Sequence, residues 1–236
     1  MVNVDTVYKT VLYILNKEQR GYITPDEFNR LGTQVQLEIF EQYFEELNQQ
    51  LRIPQTDSEY ANRVKNLEEK IDIFKTFGTT TYVGPHFTFP PDLHRLGTLI
   101  YNEKEIQGVN RNEYFLINKS PLVKPTESNP LYILEGTGSP SAAPSQIYVY
   151  PMTITSGIDA YYIKAPTPPV WGYTVASPSR AYIYDTSTST QFELHPSEQV
   201  NIILNILMYS GIVIRDPQVV QTAVRMVQQD EALEKQ

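Results

Sequence analysis

The stretch that decides the fold is residues 71–83, which read IDIFKTFGTTTYV. Up to Phe74, apolar residues recur every three or four positions, as they do on the buried side of a surface helix. After Gly78 the chain changes to threonine, tyrosine and valine, which favour strands. The sequence therefore predicts helices before this point, over residues 1–76, and a β region after it.

Two helix starts before residue 76 carry recognisable capping residues. The first helix is predicted from about Val4 to Leu15, with Asn3 or Asp5 as its cap. The second begins at Thr24–Glu27, where a capping hydroxyl is followed by proline at the first helical position and by glutamate three residues after the cap. Its apolar residues continue at spacings of three and four, which predicts a helix to about Leu51.

The third predicted helix opens at Asp57 or Ser58 and continues to about residue 75. Its charged residues lie away from one apolar stripe, as is typical of a helix on a protein surface. The stripe consists of Ala61, Val64, Leu67, Ile71 and Phe74.

The middle segment, residues 77–195, has the composition of a β module. It holds 13 of the 17 prolines and 8 of the 11 glycines. Short runs rich in β-formers alternate there with turn residues, which predicts an antiparallel sandwich or barrel. Loops are expected at residues 136–140 and 166–169. The predicted strands are Thr79–Val83, Phe87–Phe89, Leu96–Tyr101, Glu113–Ile117, Leu131–Leu134, Gln146–Tyr150, Ala160–Ile163 and Arg180–Tyr184.

Helices return in residues 196–236. Ser197 is the expected cap of a helix over 198–209, with a break at Gly211 and a last helix after Asp216-Pro217. A helix with an apolar stripe needs a partner, and this one is expected to bury Val200, Ile203, Leu204 and Leu207. The predicted fold is therefore α+β: a helical bundle formed by the N- and C-terminal helices, with an inserted antiparallel β-sandwich or barrel module.

Composition excludes several classes of function. The chain has no cysteine, which excludes disulfides, thiolate metal sites and a cysteine nucleophile. Its net charge is −8, and no segment is basic. Because phosphate binding needs clustered Lys and Arg, specific nucleic-acid binding is not expected, whereas an acidic wall past which DNA slides is compatible with this charge. No run of about 18 apolar residues and no cationic leader are found, so neither a membrane span nor a secretion signal is expected.

Motifs for catalysis, metals and cofactors are not found in the sequence. The three histidines, His86, His94 and His195, do not have metal-ligand spacing, and no nucleophile or phosphate-loop motif occurs. Residues 16–27 imitate a calcium loop, but Arg20 stands where a ligand oxygen is required. We expect a tight connection there, with Gly21 ending the first helix. The prediction is a protein that is not an enzyme and has no cofactor.

Trp171, the single tryptophan, closes a run of aromatic residues and prolines that begins at Tyr161. Aromatic side chains beside such a loop form sugar platforms or protein interfaces in some proteins. The alternative is that Trp171 packs against the edge of the β core. The sequence leaves both open.

Four blocks of residues resemble one family in their order along the chain. Together they cover most of the sequence. In these blocks the chain resembles the ring, or head-to-tail adaptor, proteins of short-tailed bacteriophages, especially the crAss-like group. Members of that family often have proline directly after the basic residue of the third block, whereas here Ala165 separates Lys164 from Pro166. The blocks are Asn16–Pro25 with Glu27, Phe28 and residues 36–43; Ser120–Leu122 with Pro125–Glu127 and Asn129–Tyr132; Ile147–Pro151 with Tyr162–Pro166, Pro169 and Trp171; and Phe192–Leu194 with the helix to Gly211 and Ile212.

This resemblance implies a structural virion protein at the head–tail junction or in the tail, assembled in the host cytoplasm. Such a protein is a homo-oligomeric ring of twelve copies below the portal protein or an adjacent ring. It lines the DNA passage channel without binding DNA tightly, and it links the portal to tail proteins. Long helices at both chain ends suit packing in a ring.

Two proline-stiffened loops, residues 121–130 and 166–171, are the predicted contacts with neighbouring rings. Stiff loops lose less conformational entropy on docking than flexible ones. The alternative function is a β-module binding protein of a phage tail that recognises a glycan or the host surface, in which aromatic residues would line a concave groove. The predicted partner-interface residues are Pro121, Pro125, Thr126, Pro130, Pro166, Pro168, Pro169 and Trp171.

Overall fold

A computed structural model of the 236-residue chain describes residues 1–17, 22–52, 58–136, 146–178, 180–213 and 225. The described part is mixed α+β, as predicted. It contains the helices α1 (Val4–Lys17), α2 (Pro25–Arg52), α3 (Ser58–Asp72), α4 (Arg111–Lys119) and α5 (Gln199–Val213). Its strands are β1 (Lys75–Thr79), β2 (Thr81–Val83), β3 (His86–Thr88), β4 (Leu93–Tyr101), β5 (Lys104–Glu105), β6 (Gln107–Gly108), β7 (Leu131–Glu135), β8 (Gln146–Tyr150), β9 (Ile158–Lys164), β10 (Tyr173–Val175) and β11 (Tyr182–Tyr184).

The chain divides into two compact units. One, here named the helical unit, comprises Met1–Ile73 and Pro166–Gln236, and the other, the β unit, comprises Phe74–Ala165. The predicted β module, 77–195, agrees with the β unit over residues 77–165. Residues 166–195, including the hairpin β10–β11, cluster with the helices instead.

The predicted starts of α1 and α2 are confirmed by their hydrogen bonds. Asn3 Oδ1 accepts from the backbone N–H of Thr6 at 2.9 Å, so Asn3 is the cap of α1. At the start of α2, the Glu27 carboxylate accepts from the backbone N–H and the hydroxyl of Thr24, both at 2.8 Å. The N–H of Glu27 donates back to Thr24 Oγ1 at 3.3 Å, which completes the capping box. The backbone donor from Thr24 lowers the pKa of Glu27.

Helix α2 is the element around which the helical unit is built. It packs against α3 and α5, and α5 also packs against α1. Its buried side follows the predicted spacing of three and four residues. The buried residues are Pro25, Phe28, Gly32, Val35, Gln36, Ile39, Phe40, Tyr43 and Phe44.

Polar side chains beside this buried stripe form hydrogen bonds to two extended segments of the chain. Gln36 is 1% exposed; its Nε2 donates to the carbonyl of Thr167 at 2.7 Å, and its Oε1 accepts from the N–H of Glu193 at 3.0 Å. Asn29, about two turns earlier, bonds to the first of these segments, where it accepts from the N–H of Trp171 at 2.7 Å. A Cβ on Gly32, between them, would lie 3.3 Å from the Phe192 ring, so glycine leaves room for the two segments.

Helix α5 differs from its prediction in its cap, its end and its buried face. His195 Nδ1, not Ser197, accepts from the backbone of the first turn, and one turn of 3-10 helix at Pro196–Glu198 precedes α5. The helix continues through Gly211 to Val213. Ile202, Ile206 and Leu207 are buried, whereas Val200 is 61% exposed. The helix is so uniformly apolar that its sequence does not define one face. The predicted last helix after Asp216 lies outside the described residues.

A buried ion pair fixes α3 to the start of α5. Lys70 Nζ lies 2.7 Å from Glu198 Oε1, and the two side chains are 20% and 4% exposed. Asn201 Nδ2 donates to the second carboxylate oxygen at 2.9 Å. The Lys70 ammonium also lies 5.4 Å from the centre of the Tyr43 ring on α2. Lys70 therefore joins three helices, a role that its position on the polar side of the predicted third helix did not indicate.

The β unit has its own hydrophobic core and two larger sheets. One sheet has the order β1-β9-β4-β5 and the other the order β2-β3-β8-β7-β6, and every neighbouring pair is antiparallel except β6–β7. Strand β1 begins at Lys75, so Gly78 lies inside a strand rather than before one. The core draws on both sheets and consists of Phe87, Leu99, Ile106, Ile147, Val149, Ile154, Ile158, Ala160 and Tyr162.

The predicted strand at Glu113–Ile117 is wrong, because these residues belong to helix α4. The helix starts with a capping arrangement in which the Glu113 carboxylate accepts from the backbone N–H of Asn110 at 3.0 Å. Asn at the cap and Glu three residues later is a helix-start signature. The aromatic and β-branched residues of the segment masked that local signal.

We expect Gln36→Ala to destabilise the helical unit by about 2–4 kcal/mol, because it leaves one buried carbonyl and one buried N–H without partners. The measurement is urea unfolding followed by the fluorescence of Trp171, the only tryptophan. Gln49→Ala, on the exposed side of the same helix, is the matched control. Equal midpoints for the two variants would contradict the role given to Gln36.

We expect Lys70→Met to lower the free energy of unfolding by roughly 3 kcal/mol, since it leaves the Glu198 carboxylate buried without its cation. Lys65→Met removes an exposed charge from the same helix and should change stability little. Thermal unfolding by circular dichroism compares the two. If the Lys70 and Lys65 variants unfold at the same temperature, the ion pair contributes nothing to stability.

Candidate assembly surface

The loop that follows α4 contains four of the predicted interface residues. Pro121 and Thr126 are exposed, while Pro125 and Pro130 are buried. The backbones of Thr126 and Asn129 bond to each other in both directions, at 3.3 and 3.0 Å. The two buried prolines thus anchor the loop in the β unit, and the residues around Pro121 project from it.

The exposed residues of α4 and of this loop are unusually apolar. Leu122 is 96% exposed, and three other large side chains are more than half exposed. Helix α4 itself has no buried residue. We name this set the α4 surface; it consists of Phe115, Leu116, Leu122 and Val123. Four large apolar side chains are thus exposed within nine residues of the chain.

Two side-chain contacts hold α4 in place although none of its residues is buried. The Tyr114 ring stacks on Tyr150 of β8 with centroids 4.1 Å apart, and burial raises the pKa of Tyr150. Arg111 forms an ion pair with Glu135 of β7, which raises the pKa of the guanidinium. The inner side of the helix is thereby attached to the sheet, so its apolar outer side has a defined position.

The second predicted loop, residues 166–171, lies in the helical unit and is mostly part of its interior. Pro166, Pro169 and Trp171 are buried, and only Thr167 and Pro168 are exposed. Thr167 is held by its bond to Gln36 and by its N–H, which donates to Glu193 Oε2 at 3.0 Å. The structure does not bring the two predicted loops into one unit.

Trp171 is 3% exposed and packs within the helical unit rather than against the core of the β unit. Its ring lies 4.3 Å from the Tyr8 ring of α1 and 5.7 Å from that of Tyr184 on β11. Its Nε1 donates to Asp5 Oδ1 at 3.1 Å. Burial is the main cause of the raised pKa of Tyr8. Trp171 therefore joins the first helix to the hairpin β10–β11.

A groove on the outer face of the sheet β1-β9-β4 was not predicted from the sequence. The register places Phe77 opposite Tyr161, and their ring centroids are 5.9 Å apart. Gly97 lies at a β-bulge of the neighbouring strand, where a Cβ would come within 2.9 Å of the Tyr161 carbonyl. The groove has a volume of about 420 Å³ and is lined by Lys75, Thr76, Phe77, Gly97, Thr98, Tyr161, Tyr162 and Ile163.

The outer side of α2 is acidic over three turns. It presents Glu38, Glu41, Glu45 and Glu46 together with Gln34, Gln42 and Gln49. Glu38 accepts from the hydroxyl of Tyr209 on α5 at 2.6 Å, and this bond raises the pKa of Tyr209 to about 12. Phosphate groups would be repelled by this side of the helix.

The calcium-like segment is described only in part, because residues 18–21, which include Arg20 and Gly21, lie outside the described residues. Glu27 is engaged in the capping box of α2. Within the described ranges, no three His, Asp or Glu side chains are grouped as a metal site would require.

No protein-family model and no curated protein matches this chain. The described helices include none that is both long and apolar enough to cross a bilayer.

We expect Leu122→Ser to leave the stability of the isolated protein within about 0.5 kcal/mol of the wild type, since the side chain is almost fully exposed. Leu131→Ser, at the buried end of the same loop, should cost about 2–4 kcal/mol. Urea unfolding monitored by far-UV circular dichroism distinguishes the two. A large loss for Leu122→Ser would mean that this residue serves the fold rather than an external contact.

Proposed function

We propose that this chain is a structural virion protein that forms an oligomeric ring in the head-to-tail connector or tail of a tailed bacteriophage. The ring lines the DNA passage channel and links the portal to the tail. The observation that carries the proposal is the α4 surface, Phe115, Leu116, Leu122 and Val123. A protein that works as a monomer rarely exposes so many large apolar side chains in one short segment.

The way in which the α4 surface is held also supports an assembly role. Tyr114 and Arg111 attach the helix to the sheet, and the loop is closed by Thr126 and Asn129. A surface that is already ordered loses little conformational entropy when it docks. This fits a protein whose contacts form with identical copies in a fixed geometry.

We further propose that the N- and C-terminal helices form one bundle into which the β unit is inserted as a sandwich. Helix α5 packs against both α1 and α2, and residues before and after the β unit share one compact unit. The core of the β unit draws on both of its sheets. Such a subunit has separate faces for its two neighbours, as a closed ring needs.

The acidic side of α2 is the part of the described chain best suited to the channel wall. Glu41 and Glu45 are exposed there, next to Glu38 and Glu46. A wall of this charge repels the DNA backbone, so DNA passes without being trapped. The copy number of twelve, the neighbouring portal, ring and tail proteins, the location in the virion and assembly in the host cytoplasm follow from the resemblance described above.

A second candidate function, a tail protein that recognises a glycan or the host surface, is favoured by the groove at Phe77 and Tyr161. Aromatic rings at a concave surface are suited to stacking on sugars. The polar groups that line this groove are Lys75, Thr76, Thr98 and the hydroxyls of Tyr161 and Tyr162. Most of its exposed lining is apolar, so the groove fits an apolar side chain better than a sugar.

We expect the purified chain to assemble into a ring of twelve subunits when it is mixed with its portal protein, as measured by native mass spectrometry and electron microscopy. Leu122→Asp should abolish this assembly, because it places a charge where apolar contact is needed. Ser128→Asp adds the same charge at an exposed polar position of the same loop and should assemble normally.

Two outcomes would contradict the ring. The chain could remain monomeric in the presence of portal and of neighbouring ring proteins. Alternatively, Leu122→Asp and Ser128→Asp could assemble equally well. Saturable binding of the monomer to a glycan array, lost in Tyr161→Ala, would favour the second candidate function.

A further inference from the structure

We propose that Leu122 of one copy inserts into the Phe77–Tyr161 groove of the next copy. This contact rests on the proposed function, since it needs a homo-oligomer, and it specifies which surfaces join the subunits. The occupant is therefore a second copy of this chain, presented through its Pro121–Pro125 turn. Both surfaces belong to the β unit, and neither is buried within one copy.

The turn has the form of a short, stiff projection. Proline stands at both of its ends, and the N–H groups of Val123 and Lys124 donate to the carbonyl of Ser120 at 3.4 and 3.1 Å. Leu122, at its tip, is 96% exposed. Because the turn is already ordered, inserting it into another molecule loses little conformational entropy.

The groove has the complementary form. Phe77 and Tyr161 stand side by side in its lining, with ring centroids 5.9 Å apart, and they are 65% and 51% exposed. Gly97 leaves space beside them, because it has no Cβ at the point nearest the Tyr161 carbonyl. The groove has a volume of about 420 Å³. A leucine side chain packed on the two rings would remove apolar surface of both molecules from water.

Charged side chains determine how the projection is oriented along the groove. The projection carries two exposed cations, Lys119 at the end of α4 and Lys124 after Leu122. Along the face that bears the groove, the register places Asp159 and Glu105 on either side of Ile100. At the other end of the groove stands Lys75. The lysines of the projection are therefore attracted to the Asp159 end and repelled from the Lys75 end.

The contact joins two different surfaces of the chain, and a ring needs the projection and the groove of one copy to face different neighbours. The projection follows α4, which connects β6 to β7 at the edge of the five-stranded sheet, whereas the groove lies on β1, β9 and β4 of the other sheet. A copy that uses its projection on one neighbour keeps its groove for another. Repeating such a contact produces a closed ring or an open filament rather than a two-fold dimer.

The test uses engineered cysteines, since the chain has none of its own. Leu122→Cys and Thr98→Cys are made in the full-length chain, separately and together, and assembled with portal protein under oxidising conditions. We expect the doubly substituted chain to form a ladder of disulfide-linked oligomers. A mixture of the two singly substituted chains should form dimers that contain one chain of each kind.

Controls and contrary results distinguish this contact from the proposed function. Val200→Cys places an exposed cysteine in the helical unit and should not cross-link to Thr98→Cys. Rings that form without the Leu122–Thr98 cross-link would contradict the proposed contact but would agree with the proposed ring. Dimers of Leu122→Cys alone would show a two-fold contact and overturn it as well. A chain that remains monomeric under all conditions would overturn both proposals.

A charge exchange tests the direction of the contact. Lys124→Glu should lower the yield of the Leu122–Thr98 cross-link, and adding Asp159→Lys should restore it. Failure of the second substitution to restore the yield would exclude the proposed pairing of Lys124 with the Asp159 end of the groove.

Discussion

Two side-chain amides on α2 hold the helical unit together. Asn29 and Gln36 each bond to the backbone of an extended segment, at Trp171 in one case and at Thr167 and Glu193 in the other. Buried N–H and carbonyl groups must find partners, and these segments have no neighbouring strand at those positions. The two side-chain amides provide the hydrogen-bond donors and acceptors that a neighbouring strand would otherwise provide. Gly32, between them, allows Pro169 and Phe192 to approach the helix closely enough for the bonds to form.

This arrangement determines the role of the aromatic and proline-rich segment after residue 165. Once Thr167 and Trp171 are bonded to α2, the tryptophan ring has to pack against Tyr8 and the hairpin β10–β11. Val2 then pairs with Phe192, which attaches the N-terminus to the same structure. The proline-rich loop therefore stabilises the helical unit, and the surfaces that we propose for assembly belong to the β unit.

In the β unit, strand geometry separates core residues from exposed ones. Ala160 and Tyr162 belong to the core of the β unit, so Tyr161 points to the other face of the sheet, because successive side chains of a strand alternate. Its partner across the strand pair, Phe77, is placed on the same outer face. Helix α4 contributes exposed apolar residues in a different way, since it is attached by Tyr114 and Arg111 and buries none of its own side chains.

The sequence by itself determined the features that depend on neighbouring residues. Thr24, Pro25 and Glu27 define the start of α2 because a capping box needs only four consecutive residues, and Gln146–Tyr150 reads as a strand from its own composition. Only the tertiary structure decided that α5 buries Ile202 rather than Val200, that Trp171 packs on Tyr8, and that Phe77 stands opposite Tyr161. The contacts of Trp171 and Phe77 depend on partners that lie more than about 80 residues away in the sequence. The buried face of α5 depends on which side of an almost entirely apolar helix meets its neighbours. No local sequence pattern specifies either of these.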